Sequence, residues 1–118
     1  MPTVNDVADY ILDRLASGRT IETVKLHKLL YLCQHWSLAI FNTRLFEDDY
    51  EDWSQSPVYP QIYPYHTHHI TVSAHSPIGG SATRLTNEEK QLVDAVIADY
   101  GNMDTFRLVD LTHLPDTA

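Results

Sequence analysis

The fold of this chain is limited most strongly by an apolar segment between Ile21 and Phe41, which holds no glycine or proline. Thr20 is a candidate N-cap before it, and Asn42 is a candidate left-handed C-cap after it. The polar residues within it, which we assign to a narrow solvent-facing strip, are Lys25, Lys28, Gln34 and Ser37. A helix that is apolar on most sides is typical of the centre of a small helical domain. The segment therefore predicts a central helix over 21–41.

Amphipathic spacing predicts one helix before this segment and two helices near the end of the chain. Side chains with an oxygen acceptor stand where these helices begin, and glycine or a turn pair stands where two of them end. The first helix is expected to begin at Thr3 or Asn5 and to end at Ser17-Gly18. The second is expected to begin at Thr86, in a capping box with Glu89, and to end at Gly101 as C′. Asp104 is the expected cap of the third.

The middle of the chain, residues 43–83, is divided by prolines and rich in aromatic residues. Pro60 can open a short helix through Tyr63, which Pro64 ends or kinks. The alternation over 70–73 predicts a short strand. We therefore expect a mainly all-α fold: a compact helical bundle around the helix at 21–41, with this irregular insertion. A length of 118 residues suits a single domain over 1–118.

The charge balance argues against a nucleic-acid partner. The chain has 8 Lys and Arg against 16 Asp and Glu, which gives a formal net charge of −8. A nucleic-acid binder needs a basic stripe that replaces condensed counterions. Five of the acidic residues fall between Glu47 and Asp52, beside the aromatic insertion. This cluster predicts a patch that attracts a basic protein partner.

The cysteine content and the N-terminus suggest a compartment. Cys33 is the one cysteine, so no internal disulfide can form. The first six residues have neither the basic start nor the apolar run of a secretion signal. No apolar stretch approaches the roughly 20 residues that span a bilayer. We therefore expect a soluble cytoplasmic protein without a membrane partner.

The histidine-rich stretch of the insertion raises the possibility of a metal site. His66, His68, His69 and His75 supply imidazoles. A structural zinc site, however, needs four fixed ligands and usually several cysteines at tight spacing. We predict no native metal and no cofactor, and keep a His-cluster metal-binding protein as a weaker alternative.

Nucleophilic catalysis has one candidate, the Cys33 thiol. It needs a neighbouring base, and His27 and His35 stand six and two positions away on the helix, where neither faces the thiol. We therefore interpret Cys33 as a buried core residue. The chain also lacks the serine-hydrolase elbow, the phosphate loop and the calcium-loop pattern, so no enzyme is expected.

The aromatic residues of the insertion are candidates for partner binding. Aromatic side chains on a stiff loop bring a large contact area at low entropic cost. The candidate residues, which we take together with the neighbouring acids, are Trp53, Tyr59, Tyr63, Tyr65, Asp48, Asp49 and Asp52. The alternative is that the aromatic residues cover one end of the core. We favour it for Trp53 and Tyr59 and leave both interpretations open for Tyr63 and Tyr65.

Several motifs together resemble the Panacea antitoxin domain. The segment K-L-H-K-L-L-Y-L-C-Q-H-W-S-L-A over 25–39 is similar to the family's signature helix, and W-S-Q-S-P-V-Y-P-Q-I-Y over 53–63 is similar to its W-x-x-G-P-V-x-P-x-x-Y segment. The end of the chain, L-V-D-L-T-H over 108–113, resembles its L-S-x-L-T-H motif. Ser56 stands where the family pattern has glycine. The matching residues, which we interpret as structural, are Lys25, Lys28, Tyr31, Gln34, Trp36, Pro57, Thr112 and His113.

The resemblance implies a non-enzymatic role in bacteria and their prophages. A protein of this family is expected to bind a cognate protein toxin, encoded by an adjacent gene, and to neutralise it by direct contact. The alternative that the resemblance leaves open is an adaptor that delivers a bound toxin or other cargo to a cytosolic protease. For Thr112 and His113 we favour a buried, hydrogen-bonded helix end over a functional role.

Overall fold

The computed structural model describes residues 1–115, and these form a mainly helical protein with two small antiparallel sheets. The helices are α1 (Val4–Leu15), α2 (Thr23–Phe41), α3 (Asn87–Tyr100) and α4 (Thr105–Leu111). One sheet pairs β1 (Ile21–Glu22) with β4 (Thr71–Val72), and the other pairs β2 (Glu51–Trp53) with β3 (Ser56–Val58). Short 3-10 turns cover Tyr63–Tyr65 and Ala82–Arg84. The mainly helical fold that the sequence predicts is confirmed.

Helices α1 and α3 both begin with a capping box. Thr3 Oγ1 accepts from the backbone N–H of Asp6 at 3.1 Å, and Asp6 Oδ2 accepts from the backbone N–H of Thr3 at 2.9 Å. Thr86 and Glu89 make the same reciprocal pair at 3.2 and 2.7 Å. Both pairs satisfy backbone donors that have no partner within the helix. The N-caps predicted at Thr3 and Thr86 are confirmed, and Asn5 lies inside α1.

Helix α2 begins two residues later than the sequence predicts. Ile21 and Glu22 are extended because they form β1, which pairs with β4 from the insertion. Glu22 is the N-cap residue, without a side-chain hydrogen bond, so the predicted cap at Thr20 is wrong. The backbone N–H of Thr23 donates to the carbonyl of Ile70 at 2.8 Å. A long-range pairing therefore sets this boundary.

The polar and apolar residues of α2 do not follow the predicted strip. Its buried polar residues are Thr23, His27, Lys28, Gln34 and Ser37, whereas Val24, Leu38, Ile40 and Phe41 are exposed. The ammonium of Lys28, the amide of Gln34 and the hydroxyl of Ser37 are accommodated because each donates to an acceptor; Ser37 Oγ, for example, donates to the carbonyl of Thr43 at 2.8 Å. The assignment of Lys28, Gln34 and Ser37 to a solvent-facing strip is wrong. The C-terminal end is as predicted, with Asn42 left-handed at φ 57°.

One hydrophobic core takes side chains from all four helices and from the insertion. Leu26, Leu29 and Leu30 of α2 are fully buried at its centre, and α2 contacts each of the other three helices. The insertion adds Phe46 and Tyr59 to this core. The expectation that α2 is surrounded by the rest of the protein is therefore confirmed for its first two-thirds, while its last turn is exposed.

The insertion contains more extended structure than expected. The predicted short strand is present as β4, but the helix predicted from Pro60 to Tyr63 is wrong. Tyr59 O accepts from the N–H groups of both Ile62 and Tyr63, which makes a turn, and a 3-10 turn then begins at Tyr63. Pro64 lies in the first turn of this 3-10 turn. A proline is tolerated there because the backbone N–H groups of a first turn have no acceptor within the helix.

The glycine that ends α3 serves a close approach rather than a left-handed turn. Gly101 ends α3 as predicted, but it is the C-cap residue, with φ −61°, rather than C′. A Cβ at this position would lie 2.5 Å from the carbonyl oxygen of Ile97. Asp104 is the N-cap residue of α4, without a side-chain hydrogen bond. The chain end, 116–118, lies outside the described residues. Within residues 1–115, no helix is both long enough and apolar enough to cross a membrane.

Candidate partner-binding site

A hairpin with a two-residue loop joins β2 and β3. It carries the first candidate residue, Trp53, which pairs with Ser56 across the hairpin. The loop residues Ser54 and Gln55 are both left-handed, with φ of 55° and 67°. Asp52 Oδ1 accepts from the backbone N–H of Gln55 at 2.6 Å and closes the loop. Left-handed pairs in hairpins are usually marked by Asn-Gly or Asp-Gly. The hairpin was not predicted from the sequence because its two loop residues are Ser54 and Gln55, which are not a typical left-handed pair.

Trp53 and Tyr63 form one exposed aromatic surface. Their rings meet edge to face with centroids 5.0 Å apart, and the side chains are 41% and 40% exposed. The Trp53 indole N–H donates to Glu51 Oε1 at 2.9 Å, and the Tyr63 ring packs against His66 at 5.3 Å. The expectation that Trp53 covers one end of the core is therefore wrong. For Tyr63, where both interpretations were open, the structure favours an exposed position.

Tyr59 and Tyr65 do not belong to this surface. Tyr59 is 1% exposed and packs edge to face against Phe46 at 5.5 Å, so it cannot contact a partner; its place among the partner-binding candidates is wrong. Tyr65 is exposed, but it lines a separate cavity beside Gly79, where a Cβ would lie 2.4 Å from its ring. The four aromatic candidates therefore divide among the core, one joint surface and a second location.

The acidic cluster is largely engaged within the fold. Asp48 Oδ1 accepts from the backbone N–H of Val4 at 2.9 Å, at the start of α1. Asp49 pairs with Arg44 at 2.5 Å, and Asp52 closes the hairpin loop. These carboxylates stabilise local structure, but Asp49, with 80% of its side chain exposed, and Asp52 remain at the surface together with Glu47 and Glu51. The acidic patch that attracts a basic partner therefore stays a prediction.

A cavity of about 470 Å³ adjoins the aromatic surface. Its apolar lining includes Val24, Trp53, Tyr63 and Ile70, which are 44%, 41%, 40% and 80% exposed. Its polar lining includes Lys28 and the His27–His66 pair, and the further polar residues are Thr23, Ser56, Thr67 and His69. Helix α2, the β2–β3 hairpin and the segment after the hairpin thus meet around one opening. A mostly apolar hollow with a few polar groups is the usual form of a binding site.

Lys28 is the charged group of this cavity. The residue is 1% exposed, and its ammonium donates to Pro57 O at 3.0 Å and to Ser56 Oγ. No carboxylate among residues 1–115 forms an ion pair with it. Burial lowers its pKa from the usual 10.5 to about 8, because water cannot solvate the charge. The sequence analysis treated Lys28 as a structural family residue and missed its position in the cavity.

His27 and His66 share a hydrogen bond between their Nε2 atoms at 2.8 Å. The backbone N–H of Tyr59 donates to His27 Nδ1 at 3.0 Å, so the neutral His27 ring carries its proton on Nε2 and donates to His66. Burial is the main cause that lowers the pKa of His27 from 6.5 to about 3, and it also lowers the pKa of His66. Both rings are therefore neutral at pH 7.

Of the remaining histidines, His69 lines the same cavity as His27 and His66, whereas His68 and His75 do not. The side chains of His68, His69 and His75 are exposed, and His66 turns inward to His27. Across residues 1–115, no three His, Cys, Asp or Glu side chains come together in a group that could hold a metal ion. Cys33 is fully buried, and burial raises the pKa of its thiol. The arrangement supports binding rather than chemistry at these groups.

The family-motif residues make contacts within the fold. Gln34 Nε2 donates to Phe46 O at 2.8 Å, and its Oε1 accepts from the N–H groups of Leu45 and Phe46. Thr112 is 2% exposed and donates to Leu108 O at 2.7 Å. The buried, hydrogen-bonded helix end is therefore confirmed for Thr112, but it is wrong for His113, which is exposed.

The other motif residues also make contacts within the fold. Lys25 Nζ donates to Met103 O at 3.0 Å. Tyr31 packs edge to face on Tyr50, and Trp36 does so on Tyr100. Pro57 is buried, and its carbonyl accepts from the Lys28 ammonium.

A mainly helical domain with an exposed aromatic surface beside an apolar cavity is typical of a protein that binds other proteins. The family model described as "Antitoxin SocA-like, Panacea domain" matches residues 26–117. This match spans most of the 118-residue chain, from the first turn of α2 onward. The chain therefore belongs to the SocA-like Panacea domain family. No curated protein and no solved structure matches it.

Proposed function

We propose that this protein is an antitoxin that binds a cognate protein toxin directly and neutralises it. The single observation that carries this proposal is the family match over residues 26–117. The role needs a binding surface rather than an assembled reactive centre. This fits a buried Cys33 and a His27–His66 pair that is closed on itself.

The contact surface in this proposal is built on Trp53 and Tyr63. The two rings hold each other edge to face, so their binding to a partner costs little additional side-chain entropy. Val24 and Ile70 extend the apolar area around the adjoining cavity. The net charge of −8, together with exposed Glu47 and Glu51, attracts a toxin whose surface is basic. Neutralisation then follows from covering the toxin's functional surface.

Co-expression with the product of the adjacent gene tests the proposal. We expect that product to stop growth alone, and to be harmless and co-purify when this protein is present. A neighbour that is harmless alone and never co-purifies would contradict the proposal. Toxin half-life separates the two mechanisms: an unchanged half-life supports occlusion, and a shortened one supports delivery to a protease.

Two alanine variants test the surface. Trp53→Ala and Tyr63→Ala remove half-exposed rings, and each is expected to weaken toxin binding about tenfold or more, as central aromatic contacts do. The matched control is Phe106→Ala, because Phe106 is 80% exposed on α4 and does not line this cavity. Equal toxin affinity for all three variants and the wild type would place the interface elsewhere.

A further inference from the structure

Lys28 is a buried cation whose counter-charge is missing from the described part of the chain. Its ammonium has three N–H donors, of which Pro57 O and Ser56 Oγ take two. Both acceptors are neutral. The ion pairs among residues 1–115 are Arg14–Asp94 and Arg44–Asp49, and neither involves Lys28. An ammonium that is removed from water is stabilised mainly by an opposite charge with good geometry. One donor and one full charge are therefore left for a further group.

The surroundings of Lys28 restrict what that group can be. Lys28 and Ser56 both line the cavity of about 470 Å³, and none of the described residues that line it is Asp or Glu. The His27–His66 pair is neutral, and the Nε2 atoms of both rings are used by the hydrogen bond between them. The mouth carries exposed apolar side chains, among them Trp53 and Ile70. The cavity therefore combines one buried positive charge with an apolar rim.

We propose that this cavity receives a segment of the protein partner in which an Asp or Glu side chain is flanked by apolar residues. The carboxylate pairs with the Lys28 ammonium, and the flanking side chains pack on Trp53, Tyr63 and Val24. This inference rests on the proposed antitoxin function, because it describes how that function's partner is recognised. The chemistry at the cavity is complementary to the overall charge: exposed acids attract a basic surface from a distance, whereas Lys28 selects one carboxylate at contact.

Peptide selection tests the recognition chemistry without the toxin. A displayed library of random dodecapeptides is selected on the wild type, on Lys28→Met and on Lys25→Met. The second variant is the matched control, because Lys25 lies on the same helix and its Nζ donates to Met103 O outside the cavity. Wild type and Lys25→Met are expected to enrich an acidic residue between apolar ones. Lys28→Met is expected to keep the apolar preference and lose the acidic one.

A double-mutant cycle then measures the pairing. In the best selected peptide, replacement of Glu by Gln is expected to weaken binding to the wild type about tenfold or more and to leave binding to Lys28→Met unchanged. An equal loss in both proteins would overturn the proposal. So would a library that enriches only basic peptides, since these would bind the exposed acids.

The pH dependence of the wild type provides a test that needs no variant. The pKa of Lys28 is about 8, so its charged fraction falls roughly tenfold between pH 7 and pH 9. Affinity for the Glu peptide is expected to fall by up to about tenfold over this range, and affinity for the Gln peptide to stay constant. Two equal pH profiles would contradict the pairing.

Three further outcomes identify the group that pairs with Lys28 and separate this inference from the antitoxin function. If Asp116→Asn lowers the Lys28 pKa of the free protein in an NMR titration, the chain's own carboxylate is the partner and the proposal is overturned. If the cognate toxin binds Lys28→Met and wild type equally, and no acidic preference appears in peptides, this inference fails while the antitoxin function stands. If acidic peptides are selected but the toxin never binds, the antitoxin function fails.

Discussion

The imidazoles of His27 and His66 are joined Nε2 to Nε2 at 2.8 Å, although 39 positions separate them in the chain. One ring belongs to α2 and the other to the insertion, so the pair ties the insertion to the central helix. The bond requires that one Nε2 carries a proton and the other does not. The Tyr59 N–H that donates to His27 Nδ1 decides which ring is the donor.

Acid is therefore expected to destabilise the fold through this pair. Folding holds the His27 pKa near 3 against 6.5 unfolded, so the unfolded chain binds more protons in between. The free energy of unfolding is highest above pH 6.5 and falls as pH drops toward 3, by up to about 1.4 kcal/mol per pH unit for His27 alone. Urea titrations at pH 7 and 5.5 measure this slope. His27→Gln is expected to reduce it, and His68→Gln, at an exposed position, to preserve it. An undiminished slope in His27→Gln would contradict the assignment.

Cys33 is expected to be unreactive in the folded protein. It is fully buried with a raised thiol pKa, so thiolate chemistry requires an opening of the core. Reaction with Ellman's reagent at pH 8 is expected to be on the order of 1,000-fold or more slower than in guanidinium, because opening costs several kcal/mol. Similar rates in both solvents would show that the thiol is accessible.

Gln34 is expected to be a strong stabilising residue. Its amide bonds the backbone of Leu45 and Phe46 through three contacts, which hold the start of the insertion against α2. Gln34→Ala leaves these buried backbone groups unpaired and is expected to lower the free energy of unfolding by about 2–4 kcal/mol. The control Gln91→Ala, at an exposed position on α3, is expected to stay within about 0.5 kcal/mol of the wild type. Equal stability of the two variants would refute this role.

Tyr59 and Trp53 are expected to separate stability from binding. Tyr59 is 1% exposed, so Tyr59→Ala removes a buried ring and is expected to cost about 3–5 kcal/mol of unfolding free energy. Trp53 is 41% exposed, and Trp53→Ala is expected to cost about 1 kcal/mol or less. Thermal or urea unfolding of both variants measures the contrast. A Trp53→Ala variant as unstable as Tyr59→Ala would make Trp53 a core residue.

Local signals in the chain predicted the helices well. The N-cap at Thr3, the capping box at Thr86, the left-handed Asn42 and the short strand at β4 are all present. The caps depend on residues within a few positions of one another, whereas β4 is completed by its pairing with β1. Periodicity also indicated α2 as the centre of the core, although it did not predict that Ile21 and Glu22 form a strand or that the last turn of the helix is exposed.

The candidate site was predicted only in part, for a physical reason. Trp53 and Tyr63 were among the partner-binding candidates, although a core position was favoured for Trp53. The residues of α2 that line the cavity beside them are distant in the chain. Lys28 was assigned to a wet strip because a charged residue normally faces water, and nothing local indicated that Ser56 and Pro57 would cover it. The acidic cluster likewise gave no sign that α1 and Arg44 would use its carboxylates.

The mainly helical class and the helix caps could thus be read from the order of residues, because propensity, capping and periodicity act over a few positions. Family membership was indicated by the resemblance of several motifs. The tertiary structure decided the rest. It buried Tyr59 and Lys28, exposed Trp53, joined His27 to His66 and turned Ile21 from helix to strand. The burial of Lys28, the His27–His66 pair and the strand at Ile21 depend on contacts between segments about 30 or more residues apart, whose energies no local pattern encodes.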